Sequence, residues 1–333
     1  MIYKMRLKNG PFKAIKSGTK KVELRLNDEK RKLIKEHDII EFENRITLEK
    51  IEVEVIKLHH FDNFSELYKH FDKISIGYKA DEIANPEDMD KYYSKEEQAK
   101  YGVVGIEIKL IDLEKIYNKI KTDSLIIDMY KEIEEVEDNE GGWAYHNYEH
   151  VKNVTDIVEQ VLQKLNYDNN FILKAKIAAI LHDVGSKEGK ENHAIKSYEF
   201  VKKYFVKNNI KFIDMDKVLE AIKIHSDGFD TDNIIALAII LGDKLDVKKN
   251  RIAKEGKKVI GNRQFCHVLD IKINIENNNM IIQFITDGKI NIKELNEYYF
   301  TKKIFKAINA FTAKVNLVSK IYIDENEWKI TFE

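Results

Sequence analysis

Six residues in this chain have the types and order to hold divalent metal: His150, His182, Asp183, His193, His225 and Asp243. His150 shares a helical stripe with Val154, Ile157, Val158 and Val161, a spacing that turns it inward with them. His182 and Asp183 end the apolar run ILKAKIAAILHDVG, and Asp243 interrupts another, NIIALAIILGDKLD. A carboxylate at the end of so apolar a helix is costly unless it is paired or metal-bound. His225 ends VLEAIKIH, and His193 opens a further helix at NHAIKSYEF. One histidine on an apolar face is ordinarily a hydrogen-bonded core residue, and His37–Asp38 in KEHDIIEFEN reads as the turn into a strand. Five helices that each place His or Asp at an end or inner face are a different matter. Imidazole with carboxylate suits Zn, Fe or Mn and leaves positions open for water or phosphate oxygens.

These residues need long helices to position them, and the chain changes character to supply them. Up to about residue 110 it mixes short pieces. MIYKMRL, KVELRL, ITLEKIEVEVIKL and YGVVGIEIKLI read as strands, PFKAIKSGTK as a short helix closed by Gly18, and FSELYKHF as a helix. NPEDMDKYYSKEEQAKYG reads as an Asn-Pro turn and a charged helix. From 113 the run LEKIYNKIKTDSLIIDMYKEIEEV is periodic, EDNEGG breaks it, and helices follow around 147–165, 170–183, 193–206, 215–225 and 231–247. VLDIKINIENNNMIIQFIT predicts a hairpin turning at Asn277–Asn279, followed by a helix near 292–319 and a last strand, KIYIDENEWKITF. The expected architecture is multidomain: a small α+β unit at 1–111, an all-α bundle at 112–262, and a small α+β extension of that bundle at 263–333.

With 333 residues, 43% hydrophobic and 34% charged, the chain has the mass for about two globular cores. No apolar stretch approaches the roughly 18 residues needed to span a bilayer, so no membrane partner is expected. The opening MIYKMRLKNG runs into charge, which predicts no signal peptide and a cytoplasmic protein, and a single cysteine, Cys266, suits that compartment. It also leaves any metal site to His, Asp and Glu. Residues 1–31 carry ten Lys/Arg against three Asp/Glu, a basic cluster that reads either as a nucleic-acid footprint or as a solvated surface.

The order His150, His182–Asp183, Asp243 resembles the H…HD…D signature of the HD-domain metal-dependent phosphohydrolases, and LGDKLD resembles that family's final helix. The resemblance implies an all-helical fold gathering these helix ends around one or two divalent ions (Mn, Fe, Mg, Co or Zn). His150, His182, Asp183 and Asp243 would hold the first, and Asp183 would bridge to a second held by His193 and His225. It further implies hydrolysis of a phosphoester or phosphoanhydride by metal-activated water, with a nucleotide or RNA-related substrate. YHNYEH, residues 145–150, is similar to the YHNxxH segment of class I cyclic-nucleotide phosphodiesterases, in which the first His is the general acid. His146 therefore has two readings, proton donor or cap of the helix start. HDVGS lacks the His-Pro of triphosphohydrolase-like members, no GYP motif follows, and no Glu-Asp pair follows soon after the HD. The spacing is closer to small bacterial HD hydrolases acting on nucleotides. Lys187, Lys244 and Arg251 are candidate phosphate contacts in a lysine-rich chain.

SGTKKVELRLNDEKR carries Gly18, Lys20, Glu23 and Arg25 in the order G-x-K-x-x-E-x-R. With PFKAIKSG before it and YYSKEEQAKYGVVGIEI at the end, it resembles an ASCH domain, a β-barrel-like relative of the PUA RNA-binding domain. The resemblance implies a cleft for RNA or a nucleotide, and some small members hydrolyse acetylated cytidine. From the residues alone, Lys20 and Arg25 form a cationic face oriented by Glu23, or an internal ion pair. Tyr92, Tyr93 and Tyr101 read as base-stacking or as packing. Competing with the hydrolase reading are a non-catalytic RNA-binding or regulatory protein with a structural metal, and an amidohydrolase seated in the ASCH domain.

Overall fold

The computed structural model describes residues 1–189 and 191–330. They form two compact units, Met1–Asp112 with Lys211–Ile213, and Leu113–Ile210 with Asp214–Glu333.

In the first unit the strands are β1 (Ile2–Leu7), β2 (Val22–Leu26), β3 (Ile39–Asn44), β4 (Lys50–Phe61) and β5 (Val103–Leu110). They make one strand-rich half-barrel sheet in the order β1-β3-β4-β5-β2. β1 runs parallel to β3 and the other pairs are antiparallel, with a register shift in β4 between Val55 and Lys57. The sheet stays open, with β1 and β2 as its edges. α1 (Asn9–Lys16), α2 (Phe64–His70) and α3 (Lys95–Tyr101) connect the strands. One core cluster gathers Phe12, Ile40, Phe42, Val53 and Ile106, and a second gathers Leu24, Phe64, Leu67 and Val103. Gly18, at φ +76°, takes the left-handed turn that ends α1 and feeds the chain into β2.

The second unit is helical: α4 (Leu113–Lys121), α5 (Ser124–Glu140), α6 (Tyr148–Lys164), α7 (Asn169–Leu181), α8 (His193–Lys207), α9 (Met215–Ile224), α10 (Ile234–Leu245), α11 (Ile292–Glu297) and α12 (Tyr299–Lys314). A small sheet of β6 (Val268–Glu276), β7 (Asn279–Thr286), β8 (Val318–Ile323) and β9 (Asn326–Glu327) flanks the last two helices in sequence, two strands before them and two after. Every residue of α10 from Ile235 to Leu245 is buried, as expected of a helix apolar on all sides, and it packs against α6, α7, α9 and α12.

The sequence reads 113–136 as one helix, but the chain breaks at Asp123. That carboxylate caps α5 by accepting from the Leu125 N–H at 3.0 Å and also accepts from the Tyr204 hydroxyl at 2.6 Å. Likewise 292–319 divides at Tyr298, which caps α12 with extended backbone. The expected single last strand folds back at Asp324 as the β8–β9 pair, and its end at 331–332 lies outside the described residues. The β6–β7 hairpin turns on Asn277 and Asn278, both with positive φ, a conformation asparagine tolerates.

Candidate metal centre

Helix ends converge in the second unit. His150 sits in the first turn of α6, which Asn147 caps by accepting from the His150 N–H at 3.0 Å. His182 is the C-cap of α7 with Asp183 next to it, His193 is the first residue of α8, His225 is the C-cap of α9, and Asp243 lies in the last turn of α10.

Ligand atoms of His150, His182, Asp183 and Asp243 all lie within 4.8 Å of one another, and Asp183, His193 and His225 form a second such group. The two oxygens of Asp183 divide between them. Oδ2 is 3.6 Å from His150 Nε2 and 3.3 Å from His182 Nε2, while Oδ1 is 3.4 Å from His193 Nε2 and 3.2 Å from His225 Nε2. His150 Nε2 is 3.3 Å from Asp243 Oδ1.

The far side of three rings is tied down. His182 Nδ1–H donates to the Ala179 carbonyl and His225 Nδ1–H to the Ile222 carbonyl, each at 2.7 Å. His150 Nδ1–H donates to Asp246 Oδ2 at 2.7 Å. Each tether commits Nδ1 as the donor and turns Nε2 towards the carboxylates, the orientation a metal-ligating histidine requires. His182 Nε2 is buried without a hydrogen-bond partner, which a ligand to that nitrogen would resolve. The donor set therefore fits divalent cations.

Charge balance agrees. Burial and the adjacent Arg251 press the His150 pKa down, yet hydrogen bonds to Asp183, Asp243 and Asp246 raise it to about 10. Burial pushes Asp183 up, but His182 and the bonds from His150 and His225 hold it well below the carboxylate range. Burial likewise opposes ionisation of Asp243, and Lys244 and His150 hold it well below that range. The charge that offsets these buried carboxylates comes from the histidines around them and from Lys244.

A cavity of about 650 Å³ opens over the cluster, lined among others by His146, Asp183, His193, Asp243, Lys244 and Arg251. Arg251 Nη2 stands 3.3 Å from His150 Nε2, and its buried Nη1 has no hydrogen-bond partner. Lys244 pairs with Asp243 and lies over the Phe300 ring at 5.9 Å. Lys187, the third residue read as a phosphate contact, pairs instead with Glu132 at 2.9 Å and is not among the residues lining this cavity.

His146 is held from α5. Glu137 accepts the His146 backbone N–H at 2.7 Å and the ring Nδ1–H, while Glu134 accepts from Asn147 Nδ2 at 2.9 Å. Burial and Arg251 lower the His146 pKa to about 4 against the pull of Glu137. The ring is thus neutral near pH 7 with Nε2 as an acceptor, and the negative charge of an approaching phosphate favours its protonation. A short backbone strap fixes this stretch. Ala144 bridges Ile252, the Tyr145 N–H donates to the Arg251 carbonyl at 2.9 Å, and the Ala253 N–H donates to the Trp143 carbonyl at 3.2 Å. Glu134, Glu137 and Asp246 are site residues that sequence reasoning missed. The signal for Asp246 was its position one turn beyond Asp243 in LGDKLD.

In the first unit, Glu23 joins both cations, 2.9 Å from Lys20 Nζ and 2.9 Å from Arg25 Nη2, and Arg25 Nη1 donates to the Tyr93 hydroxyl at 3.1 Å. Lys20 and Glu23 are buried, so the arrangement is an internal ion pair. Burial raises the Glu23 pKa, but Lys20 and Arg25 bring it below the ordinary value. The triad also lines a cavity of about 350 Å³, with Arg6, Tyr92 and Tyr93 on its walls and Gly18 outside it. Tyr93 stacks on Phe64 at 5.8 Å, whereas Tyr92 is exposed beside Lys8.

A family model for the ASCH domain matches residues 5–112, and one for the HD domain matches residues 147–254. The chain joins an ASCH domain to an HD domain. HD domains form a superfamily of metal-dependent phosphohydrolases, and the buried cluster of His150, His182, Asp183 and Asp243 fits one. The ASCH domain suggests RNA binding. A crystal structure of hypothetical protein PH0355 is 33% identical over 33% of this chain and 100% of that chain, with a TM-score of 0.29. A solution structure of protein PF0455 from Pyrococcus furiosus is 31% identical over 34% of this chain and 99% of that chain, with a TM-score of 0.27. No curated protein matches the chain. Among the described residues, no helix is long and apolar enough to cross a membrane.

Proposed function

We propose that the HD domain hydrolyses a phosphoester or phosphoanhydride of a nucleotide or RNA-related substrate, and that the ASCH domain binds RNA or a nucleotide. The observation that carries this reading is Asp183, whose two oxygens face two separate histidine groups. His150, His182, Asp183 and Asp243 would hold one divalent ion, and Asp183, His193 and His225 a second. Ions there supply Lewis-acid polarisation of the phosphoryl group and acidify water.

The chain's own residues do the rest. Arg251 and Lys244 bind the phosphate oxygens, and the unpartnered Nη1 of Arg251 supplies a donor that needs an anion. His146, held at Nδ1 by Glu137, keeps Nε2 available to carry a proton to the leaving oxygen. The burial of Asp183, Asp243 and Arg251 strengthens these charge interactions.

The test is metal analysis of the purified protein followed by a phosphoester and nucleotide panel with Mn, Mg, Fe, Co and Zn. The expected result is stoichiometric metal and turnover that His182→Ala and Asp183→Ala abolish. Protein that takes up no divalent metal, or variants that turn over like wild type, would sink the reading. Stability that depends on metal without turnover of any phosphoester would favour a regulatory protein with a structural ion.

A further inference from the structure

The metal cavity has a second wall of a different chemistry. Trp143, Tyr298, Tyr299 and Phe300 line it, and all four lie outside the 147–254 segment that the HD model matches. Trp143 comes from the loop before α6, and the other three from the junction of α11 and α12.

This wall is built from the inside out. Tyr298 is buried against Phe265, with ring centroids 6.2 Å apart, and its hydroxyl donates to Asn262 Oδ1 at 3.3 Å. Asn262 in turn gives its Nδ2 hydrogens to the Trp143 carbonyl at 3.2 Å and the Gly256 carbonyl at 3.0 Å. The Trp143 carbonyl is therefore held, through Asn262, to the Tyr298 hydroxyl. In front of this support, Trp143 keeps 42% and Tyr299 56% of its surface exposed. Large rings fixed at the edge of a cavity and left open to water are poor core residues and good ligand surfaces.

Two features narrow the ligand. A volume of about 650 Å³ falls within the range of roughly 300–1,000 Å³ typical of small-molecule sites. Asn262, a buried amide on this wall, has both hydrogens committed within it and so has none to donate to a base. Stacking on aromatic faces, by contrast, accepts any base because every base has a π-face.

We propose that Trp143 and Tyr299, backed by Tyr298 and Phe300, form a stacking shelf that selects nucleoside phosphates over phosphoesters without a ring and does not distinguish among bases. This rests on the hydrolase reading for the position of the phosphate, beside Arg251 and Lys244. The shelf makes Trp143 and Tyr299 specificity-determining residues, remote from the reacting atoms.

Titration calorimetry with manganese-loaded protein tests it, using the non-hydrolysable phosphonate analogues of adenosine 5′-monophosphate, uridine 5′-monophosphate and ribose 5-phosphate. The nucleoside analogues should bind at least about tenfold tighter than the ribose analogue, and within a few-fold of each other. Trp143→Ala and Tyr299→Ala should each remove most of that preference and leave ribose-analogue affinity unchanged, while Tyr299→Phe retains it. Equal affinities in wild type, no binding of either nucleoside analogue, or a preference that survives both alanine variants overturns the shelf. Binding that prefers both nucleoside analogues alike over the ribose analogue, by a protein that hydrolyses no phosphoester, would refute the hydrolase reading and support the shelf, so the two fail separately.

Discussion

Replacing Asp246 with Asn should weaken metal binding without touching a ligand. The Asp246 carboxylate is fully buried, accepts from His150 Nδ1 at 2.7 Å and from Asn153 Nδ2 at 3.2 Å, and lies 3.6 Å from Arg251 Nε. An asparagine of the same shape has only one oxygen for the two donors. Either Asn153 loses its acceptor or the amide NH₂ faces His150 and drives its ring to the opposite tautomer, with the proton on Nε2. Loss of such an outer carboxylate typically lowers metal affinity 10–100-fold, or about 1.4–2.8 kcal/mol. The histidine would also become a poorer electron donor, so the upper half of that range is expected. Competition of Asp246→Asn and wild type for manganese against a chelator of known affinity measures it, below the melting transition of both. Affinities within twofold, with unchanged circular dichroism, would refute the claim that Asp246 sets the His150 tautomer.

Chelation should lower the melting temperature, because buried Asp183 and Asp243 lose their cation. Metal restored at 100 times its dissociation constant should return about 2.7 kcal/mol, read by calorimetry. Glu137→Gln should lower kcat about tenfold or more with metal content unchanged, since one amide oxygen cannot accept both N–H groups of His146. Glu23→Gln leaves the buried Lys20 and the half-buried Arg25 without their counter-charge and should cost the ASCH unit about 3–5 kcal/mol. Both tryptophans, Trp143 and Trp328, belong to the second unit. Hydrogen exchange in β2 should therefore respond to Glu23→Gln while tryptophan fluorescence does not.

The residues that converge were legible because polar residues on apolar helices stand out. His182 and Asp183 end a run of buried residues, and Asp243 interrupts a helix that is apolar all round. Glu137 was not legible, because α5 ends in the acidic run EIEEVEDNE and nothing in it marks which carboxylate turns towards His146. Lys187 and Arg251 looked alike as isolated cations. The fold separates them, pairing one with Glu132 and burying the other beside His150. The break at Asp123 was hidden because helical periodicity continues through it. Its capping bond competes locally with the helix, and its bond to Tyr204 comes from a residue far along the chain. The aromatic shelf was invisible for a similar reason, since Trp143 and Tyr299 reach one cavity only through the long return of the chain after α10.

The strap from Trp143 to Ala253 makes the active region indivisible. The HD helices resemble an exchangeable cassette, but the Trp143 carbonyl is clasped by Ala253 and by Asn262, and Gly256 lies so close that a Cβ there would meet the same oxygen at 1.9 Å. Grafting 147–254 into another host would transplant all six candidate ligands and leave behind His146, Glu137 and the aromatic wall. A chimera would inherit the ion and lose the selectivity. Recombination breakpoints compatible with function should therefore fall before α5 or beyond α12, and a shuffled library scored for turnover would map them there.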